Sequence, residues 1–142
     1  MKPQHFRNHS QFVISYHVVA LVLWIFYIIG AVRHALKVSE ADTYDAWLLV
    51  IAGILIFFAL YFSRTFALRA QDRAIRAEEN LRHFALTGKL LDQRLSLSQV
   101  IALRFASDAE FPLLAQKAVA ENWSNKRIKF EIKNWRADYH RV

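Results

Sequence analysis

Cysteine is absent from this chain of 142 residues, and glycine and proline number only 3 and 2. Without Cys the chain has no disulfide, no thiolate metal site, no iron–sulfur cluster and no Cys nucleophile. Gly and Pro are the residues that most readily interrupt a helix, and few are present here. These absences favour long helices and exclude the enzyme classes that depend on a thiolate.

Charge is also missing from two stretches of the chain. No Asp, Glu, Lys or Arg lies between Arg7 and Arg33, or between Asp45 and Arg64. With a rise of about 1.5 Å per residue, the two stretches reach about 37 and 27 Å as helices, against a hydrocarbon core of about 30 Å. Both are rich in Val, Leu, Ile, Phe, Ala and Trp. We therefore predict two membrane-spanning helices that form a hairpin.

Basic residues orient this hairpin. Lys2 and Arg7 precede the first span, and an arginine-rich flank follows the second: Arg64, Arg69, Arg73, Arg76 and Arg82. The loop between the spans carries more acidic than basic residues. Because translocation disfavours Lys and Arg near span ends, we expect both termini in the cytoplasm and the loop outside. The first apolar stretch is too long for a cleaved signal peptide, so we expect it to stay as a signal anchor.

The second span is predicted to continue as a helical stalk. Strong helix formers follow Arg64, and Gly88 supplies a stop. Apolar residues recur along the stalk at spacings of three and four, and we call them the alanine face: Ala67, Ala70, Ala74, Ala77, Leu81 and Phe84. Small side chains let a second helix approach closely. The alanine face is therefore predicted to pack on the chain's own tail or on a second copy.

Short helices with recognisable caps are predicted after the stalk. The segments Ser96–Gln99 and Ser107–Glu110 each fit a capping box, and Pro112 falls in the first turn of the second helix. Ser124 is suited to cap a third helix. That helix would carry Ile128, Ile132 and Trp135 on one face at i, i+4 and i+7.

Together these elements predict an all-α fold in three parts. The first part is a transmembrane helical hairpin over 1–63, with spans at about 11–32 and 46–63 and a short external loop at 33–45. The second is a helical cytoplasmic stalk over 64–88, and the third is a small C-terminal cytoplasmic helical domain over 89–142. No strand-type alternation of apolar and polar residues competes with this prediction.

Four sequence blocks resemble a family of small bacterial two-span membrane proteins of unknown function. They are Phe6-Arg7-Asn8-His9 before the first span, Leu68–Arg76 after the second, Gln99–Asp108 in the domain and Ile128–Tyr139 near the end. The resemblance covers nearly the whole chain. It implies a multi-pass protein of the bacterial inner membrane with a helical cytoplasmic tail, and it carries over no activity.

The polar residues form no catalytic set that we recognise. The chain lacks the G-x-S-x-G and H-E-x-x-H motifs and a Gly-rich phosphate loop. The adjacent Glu78 and Glu79 point to different helix faces, and we expect both to be solvated. Arg104 and Asp108, at i,i+4, are predicted to form a structural ion pair. We therefore expect no enzyme activity.

Two histidines have the spacing of metal ligands. His5 and His9 stand at i,i+4, which places two imidazoles on one helix face. A closed zinc site needs four ligands, and no carboxylate or thiolate lies near this pair. We therefore expect no metal and no cofactor.

The tail from Arg64 onward is basic, because Lys and Arg outnumber Asp and Glu there. The candidate contacts with a partner or a lipid surface are Arg69, Arg73, Arg76, Trp123, Lys126, Arg127, Lys133, Trp135 and Arg136. Three interpretations are open: attraction to anionic headgroups, a partner-binding face with tryptophan anchors, or a helix-turn-helix that binds nucleic acid. Glu131 and Asp138 interrupt the basic segment, so nucleic acid is the least favoured of the three.

The sequence thus predicts a non-enzymatic two-span inner-membrane protein, an anchor or accessory subunit of a larger assembly. The expected partners are the lipid bilayer and either another membrane protein or a second copy of the chain. The alternative from a different class is a membrane-tethered nucleic-acid-binding module.

Overall fold

The computed structural model describes residues 13–138, and every element named below is helical. A π-helical segment, Ser15–Ala20, leads directly into α1 (Leu21–Ala35). A 3₁₀ turn, Glu40–Asp42, precedes the long helix α2 (Thr43–Thr87). Three short helices follow: α3 (Leu97–Leu103), α4 (Phe111–Ala120) and α5 (Asn125–Glu131). The all-α prediction is confirmed for the described residues.

Two compact units divide the described chain. The boundary falls between Ala67 and Leu68, so α2 contributes to both units. We call residues 13–67 the hairpin unit and residues 68–138 the C-terminal unit. Gly88 has a positive φ of 72° and ends α2, as predicted, because glycine adopts this backbone conformation without steric cost.

Hydrogen bonds from aromatic side chains to backbone carbonyls fix the register of the hairpin unit. The donor and acceptor pairs are Tyr16 with Leu60, Trp24 with Gly53 at 2.8 Å, and Tyr27 with Leu49 at 3.0 Å. The acceptor number falls as the donor number rises, so the two helices run antiparallel. Near the loop, a small buried cluster of Ala31, Ala35, Ala46 and Val50 continues the same packing.

Two continuous helical segments, Tyr16–Ala35 and Glu40–Thr87, are long and apolar enough to cross a membrane. Each segment contains an apolar stretch of 18 residues, and most of that stretch is exposed. The buried share is 6 % in the first segment and 17 % in the second. Most Leu, Ile, Val and Phe side chains in these stretches therefore project away from the protein.

The C-terminal unit has its own apolar core, and two predicted helix caps help to form it. Its largest fully buried side chains are Phe105, Phe111, Leu95, Leu103, Ile128 and Val100. The predicted capping box of α3 is confirmed, because Ser96 and Gln99 each accept a hydrogen bond from the other's backbone N–H. Ser124 caps α5, as predicted, by accepting from the N–H of Arg127 at 3.2 Å.

The predicted capping box of α4 is wrong, although Pro112 does lie in the first turn. The N-cap residue is Glu110 rather than Ser107, and no side chain caps the helix. The carboxylate of Glu110 instead accepts from the backbone N–H groups of Lys133 and Asn134, at 3.3 and 3.2 Å. Glu110 therefore ties the segment after α5 to the start of α4.

The predicted continuation of α5 through Ile132 and Trp135 is also wrong. The helix ends at Glu131, and the backbone of Ile132 is extended. Trp135 forms an isolated antiparallel bridge with Ala106. Pairing with the α3–α4 connection thus replaces the helical hydrogen bonds that the sequence spacing predicts.

Candidate functional site

A partly polar face of α2 packs on the short helices of the C-terminal unit. Ile75, Glu79 and His83 recur at i, i+4 and i+8, and all three are buried. The alanine face lies on the other side of the helix, where Leu81 is 68 % and Phe84 is 50 % exposed. Within residues 13–138, the predicted packing on the chain's own tail is not found at Leu81 and Phe84, whereas Ala74 borders a cleft that Arg136 and Asp138 also line. Packing on a second copy stays a prediction.

Arg82 joins this partly polar face to the rest of the C-terminal unit. Its Nη1 donates to Glu79 at 2.8 Å, and its Nη2 lies 2.6 Å from Oδ1 of Asp108. Nη2 also donates to the carbonyl of Ala106 at 2.7 Å, and the guanidinium lies 4.5 Å from the ring centroid of Phe111. Because Glu79 is buried in this network, the expectation of a solvated carboxylate there is wrong.

A buried arginine, Arg104, lies beside a polar cleft. Nη1 of Arg104 lies 3.2 Å from Oδ2 of Asp138, so the predicted Arg104–Asp108 pair is wrong. Asp108 is instead bound to Arg82. The cleft has a volume of about 520 Å³, and its polar lining is Gln71, Glu78, Glu79, Arg104, Arg136 and Asp138. Its charges are of both signs, so it offers no strong net field to an anion or a cation.

The predicted contact residues divide into an exposed basic set and two core tryptophans. The exposed residues are Arg69, Arg73, Arg76, Lys126, Arg127, Lys133 and Arg136. Trp123 is only 5 % exposed and belongs to the core, and Trp135 is partly buried against that core. The structure therefore places the Trp123 ring inside the domain and packs the Trp135 ring against the core, so neither is a fully exposed anchor for a partner.

Arg127 covers the ring of Trp123 and shares an acidic neighbour with it. The guanidinium lies 4.7 Å from the ring centroid. Both the Arg127 guanidinium and the Trp123 indole N–H bind the carboxylate of Glu121, at 3.2 and 2.8 Å. This arrangement stabilises the α4–α5 connection, where Asn122 takes a positive φ of 48°.

The geometry of α5 differs from that of a recognition helix. It has 7 residues, and Lys133 and Arg136 lie beyond its end. A helix-turn-helix motif instead reads the major groove with side chains of one continuous second helix. The basic residues of this segment thus form a surface patch and not one helical face.

Asp92 and Arg94 form an exposed ion pair in the connection between α2 and α3. The Arg94 guanidinium donates to both carboxylate oxygens of Asp92, the shortest distance being 2.7 Å. The backbone N–H of Arg94 donates to the same carboxylate at 2.9 Å. These bonds lower the pKa of Asp92 from 3.8 to about 2.

An aromatic cleft in the hairpin unit has no counterpart in the sequence predictions. It has a volume of about 210 Å³, and Tyr16, Trp24, Phe57 and Tyr61 are among its lining residues. The guanidinium of Arg64 lies 5.9 Å from the ring centroid of Tyr16. These residues come from two antiparallel segments, so only the register of the hairpin brings them together.

Among residues 13–138, no group of three or more His, Asp or Glu side chains has the geometry to hold a metal ion. His5 and His9, with Lys2 and Arg7, lie outside the described residues.

Comparisons with known proteins complete the description of the chain. No curated protein matches it, and no solved structure does. A family model does match, over residues 1–142, as the sequence blocks predict. The chain belongs to DUF6526, a family of unknown function.

Proposed function

We propose that this chain is a non-enzymatic two-span protein of a bacterial inner membrane, serving as an anchor or accessory subunit. The exposure of the two long helices is the observation that carries the proposal. Phe26 is 73 % exposed on α1, and Leu55 is 63 % exposed on α2. Apolar surface in water costs about 25 cal/mol per Å² relative to burial, and a bilayer removes that cost for the whole hairpin.

The packing inside the hairpin unit supports the same conclusion. Tyr16, Trp24 and Tyr27 direct their polar groups to carbonyls of the other helix. In hydrocarbon, a side-chain donor without a partner is costly, and such interhelical bonds satisfy it. Gly53 allows the close approach that is typical of membrane helix pairs.

Charge supports an orientation with both termini in the cytoplasm. Arg64 and the exposed Arg69, Arg73 and Arg76 follow the second apolar segment. Glu40 lies in the loop before α2, on the other side of the apolar segment. Exposed basic residues near anionic headgroups contribute about 1 kcal/mol each. The arginine flank thus favours the cytoplasmic leaflet.

Ion pairs hold the C-terminal unit together. Arg82 of α2 binds Asp108, in the connection between α3 and α4, and Arg127 of α5 binds Glu121, at the end of α4. These pairs connect helices and helix ends, which is a structural role. An accessory subunit needs such a stable domain beside the membrane, with exposed surfaces left for a partner.

Matched arginine substitutions test membrane insertion. The first variant, Ile51→Arg/Leu55→Arg, alters exposed residues of the proposed span, and the control, Leu81→Arg/Phe84→Arg, alters equally exposed residues of the C-terminal unit. Arginine within a span costs about 2.5–3.5 kcal/mol per residue. We expect the wild type and the control to stay in membranes after alkaline carbonate extraction, while the first variant is largely lost. Extraction of the wild type would contradict the proposal.

A further inference from the structure

The alanine face is an exposed helix surface with the spacing of a coiled coil. In the C-terminal unit it comprises Ala70, Ala74, Ala77, Leu81 and Phe84. Its spacings alternate between four and three residues, which is the a and d pattern of a heptad repeat. The short helices pack on the other side of α2, and all five residues of the face are exposed. Ala74 also borders the polar cleft, beside Arg136 and Asp138.

Exposure of the large apolar side chains of Leu81 and Phe84 to water is unfavourable. They occupy consecutive a and d positions and are exposed to 68 % and 50 %. The alanines at the preceding positions let two backbones approach closely. A second helix would therefore meet a narrow groove between alanines that ends in two large apolar side chains.

Two exposed charges flank the face: Arg73 lies on one side, and Glu78, which also borders the polar cleft, lies on the other. In the heptad frame Arg73 is a g position and Glu78 is the e position of the next repeat. Neither residue forms an ion pair with another described residue. In a parallel, in-register pair of helices, the g position of one helix faces that e position of the other. Each Arg73 would then meet the Glu78 of the other copy, and the pair would form twice by symmetry.

The opposite orientation lacks this complementarity. In an antiparallel pair, g positions face g positions and e positions face e positions. Arg73 would then meet Arg73 or its neutral neighbours, and Glu78 would meet Glu78 or Gln71. The charges therefore select the parallel arrangement.

We infer that α2 pairs with α2 of a second copy along the alanine face, in a parallel coiled coil with reciprocal Arg73–Glu78 ion pairs. The inference rests on the proposed function, because two copies inserted with one topology have α2 helices that run in the same direction. It names a second copy of this chain as the partner of the exposed surface.

Disulfide cross-linking tests the contact directly, because the natural chain has no Cys. A disulfide needs Cα atoms within about 4.4–6.8 Å of each other. In oxidised native membranes, we expect Ala77→Cys to give a disulfide dimer of the 16.6 kDa chain. Its neighbour Arg76→Cys is the control, since Arg76 is exposed but points away from the proposed contact. Equal cross-linking at both positions, or at neither, would overturn the inference.

Charge exchange tests the orientation in the Ala77→Cys background. We expect Arg73→Glu or Glu78→Arg alone to cause loss of most of the disulfide dimer, and the exchange of both to restore it. Failure of the double exchange to restore the dimer would overturn the parallel arrangement, as would capture of a different protein by Ala77→Cys.

The membrane fraction is recovered before oxidation. Failure of the membrane proposal can therefore be distinguished from failure of the α2 pairing. A chain that stays in the membrane but gives no Ala77→Cys dimer refutes the pairing and leaves the membrane proposal intact. A chain found in the soluble fraction refutes the membrane proposal, and its cross-linking there still decides whether the alanine faces pair.

Discussion

The indole N–H of Trp24 donates a hydrogen bond of 2.8 Å to the backbone carbonyl of Gly53 on the opposite helix of the hairpin. Side chains of the opposite helix leave no room for a Cβ atom at Gly53. A Cβ atom at Gly53 would lie 2.6 Å from Cδ1 of Ile28 and 3.0 Å from Cε1 of Tyr27. The hydrogen bond and the missing side chain therefore fix one register for the pair.

Gly53→Leu should separate the two helices. The added side chain overpacks the contact with Tyr27 and Ile28, which typically costs about 1–3 kcal/mol. Gly30→Leu is the matched control, because no atom lies within 4 Å of a Cβ built at Gly30. We expect a lower unfolding temperature in detergent for Gly53→Leu only. Equal effects of the two substitutions would show that the described register is wrong.

Arg82→Met should strongly destabilise the C-terminal unit. It leaves the buried carboxylate of Glu79 without its cation, and removing one partner of a buried pair costs about 3–5 kcal/mol. Arg76→Met, at an exposed position, should stay within about 0.5 kcal/mol of the wild type. Glu79→Leu/Arg82→Met should recover part of the loss, because no buried charge is left unpaired and the Asp108 carboxylate is 65 % exposed to solvent. Chemical denaturation in detergent measures all three variants.

The titration of Asp92 should report its bonds to Arg94. The folded pKa of about 2 lies below the ordinary value of 3.8. Any stabilisation of the folded state by the Asp92–Arg94 bonds is therefore present above the ordinary pKa and is lost as the pH falls through about 2. Arg94→Gln should return the midpoint toward 3.8, as followed by NMR of the carboxyl carbon. The control Lys89→Gln should leave it unchanged, and a wild-type midpoint near 3.8 would refute the bonding.

The sequence predicts the features that depend on local chemistry. The two long apolar helices follow from runs without charge, and the end of α2 follows from Gly88. The caps at Ser96 and Ser124 are also predicted, because each involves residues only three positions apart. All of these depend on neighbours in the sequence, so spacing alone reveals them.

Features that depend on distant contacts could not be predicted. An apolar face normally marks the buried side of a helix, yet α2 buries Glu79. Its partner Arg82 is partly buried and also binds Asp108 and the Ala106 carbonyl. Trp135 leaves the helical spacing because a bridge to Ala106 is available. The aromatic cleft likewise requires the register of two segments far apart in sequence.

Topology reporters test whether the chain spans a membrane twice with both termini in the cytoplasm. Paired reporters, one active only in the cytoplasm and one only in the periplasm, are fused to the full chain at Glu40 and at Val142. We expect a periplasmic signal at Glu40 and a cytoplasmic signal at Val142. A periplasmic signal at Val142, or the same side at both positions, would contradict it.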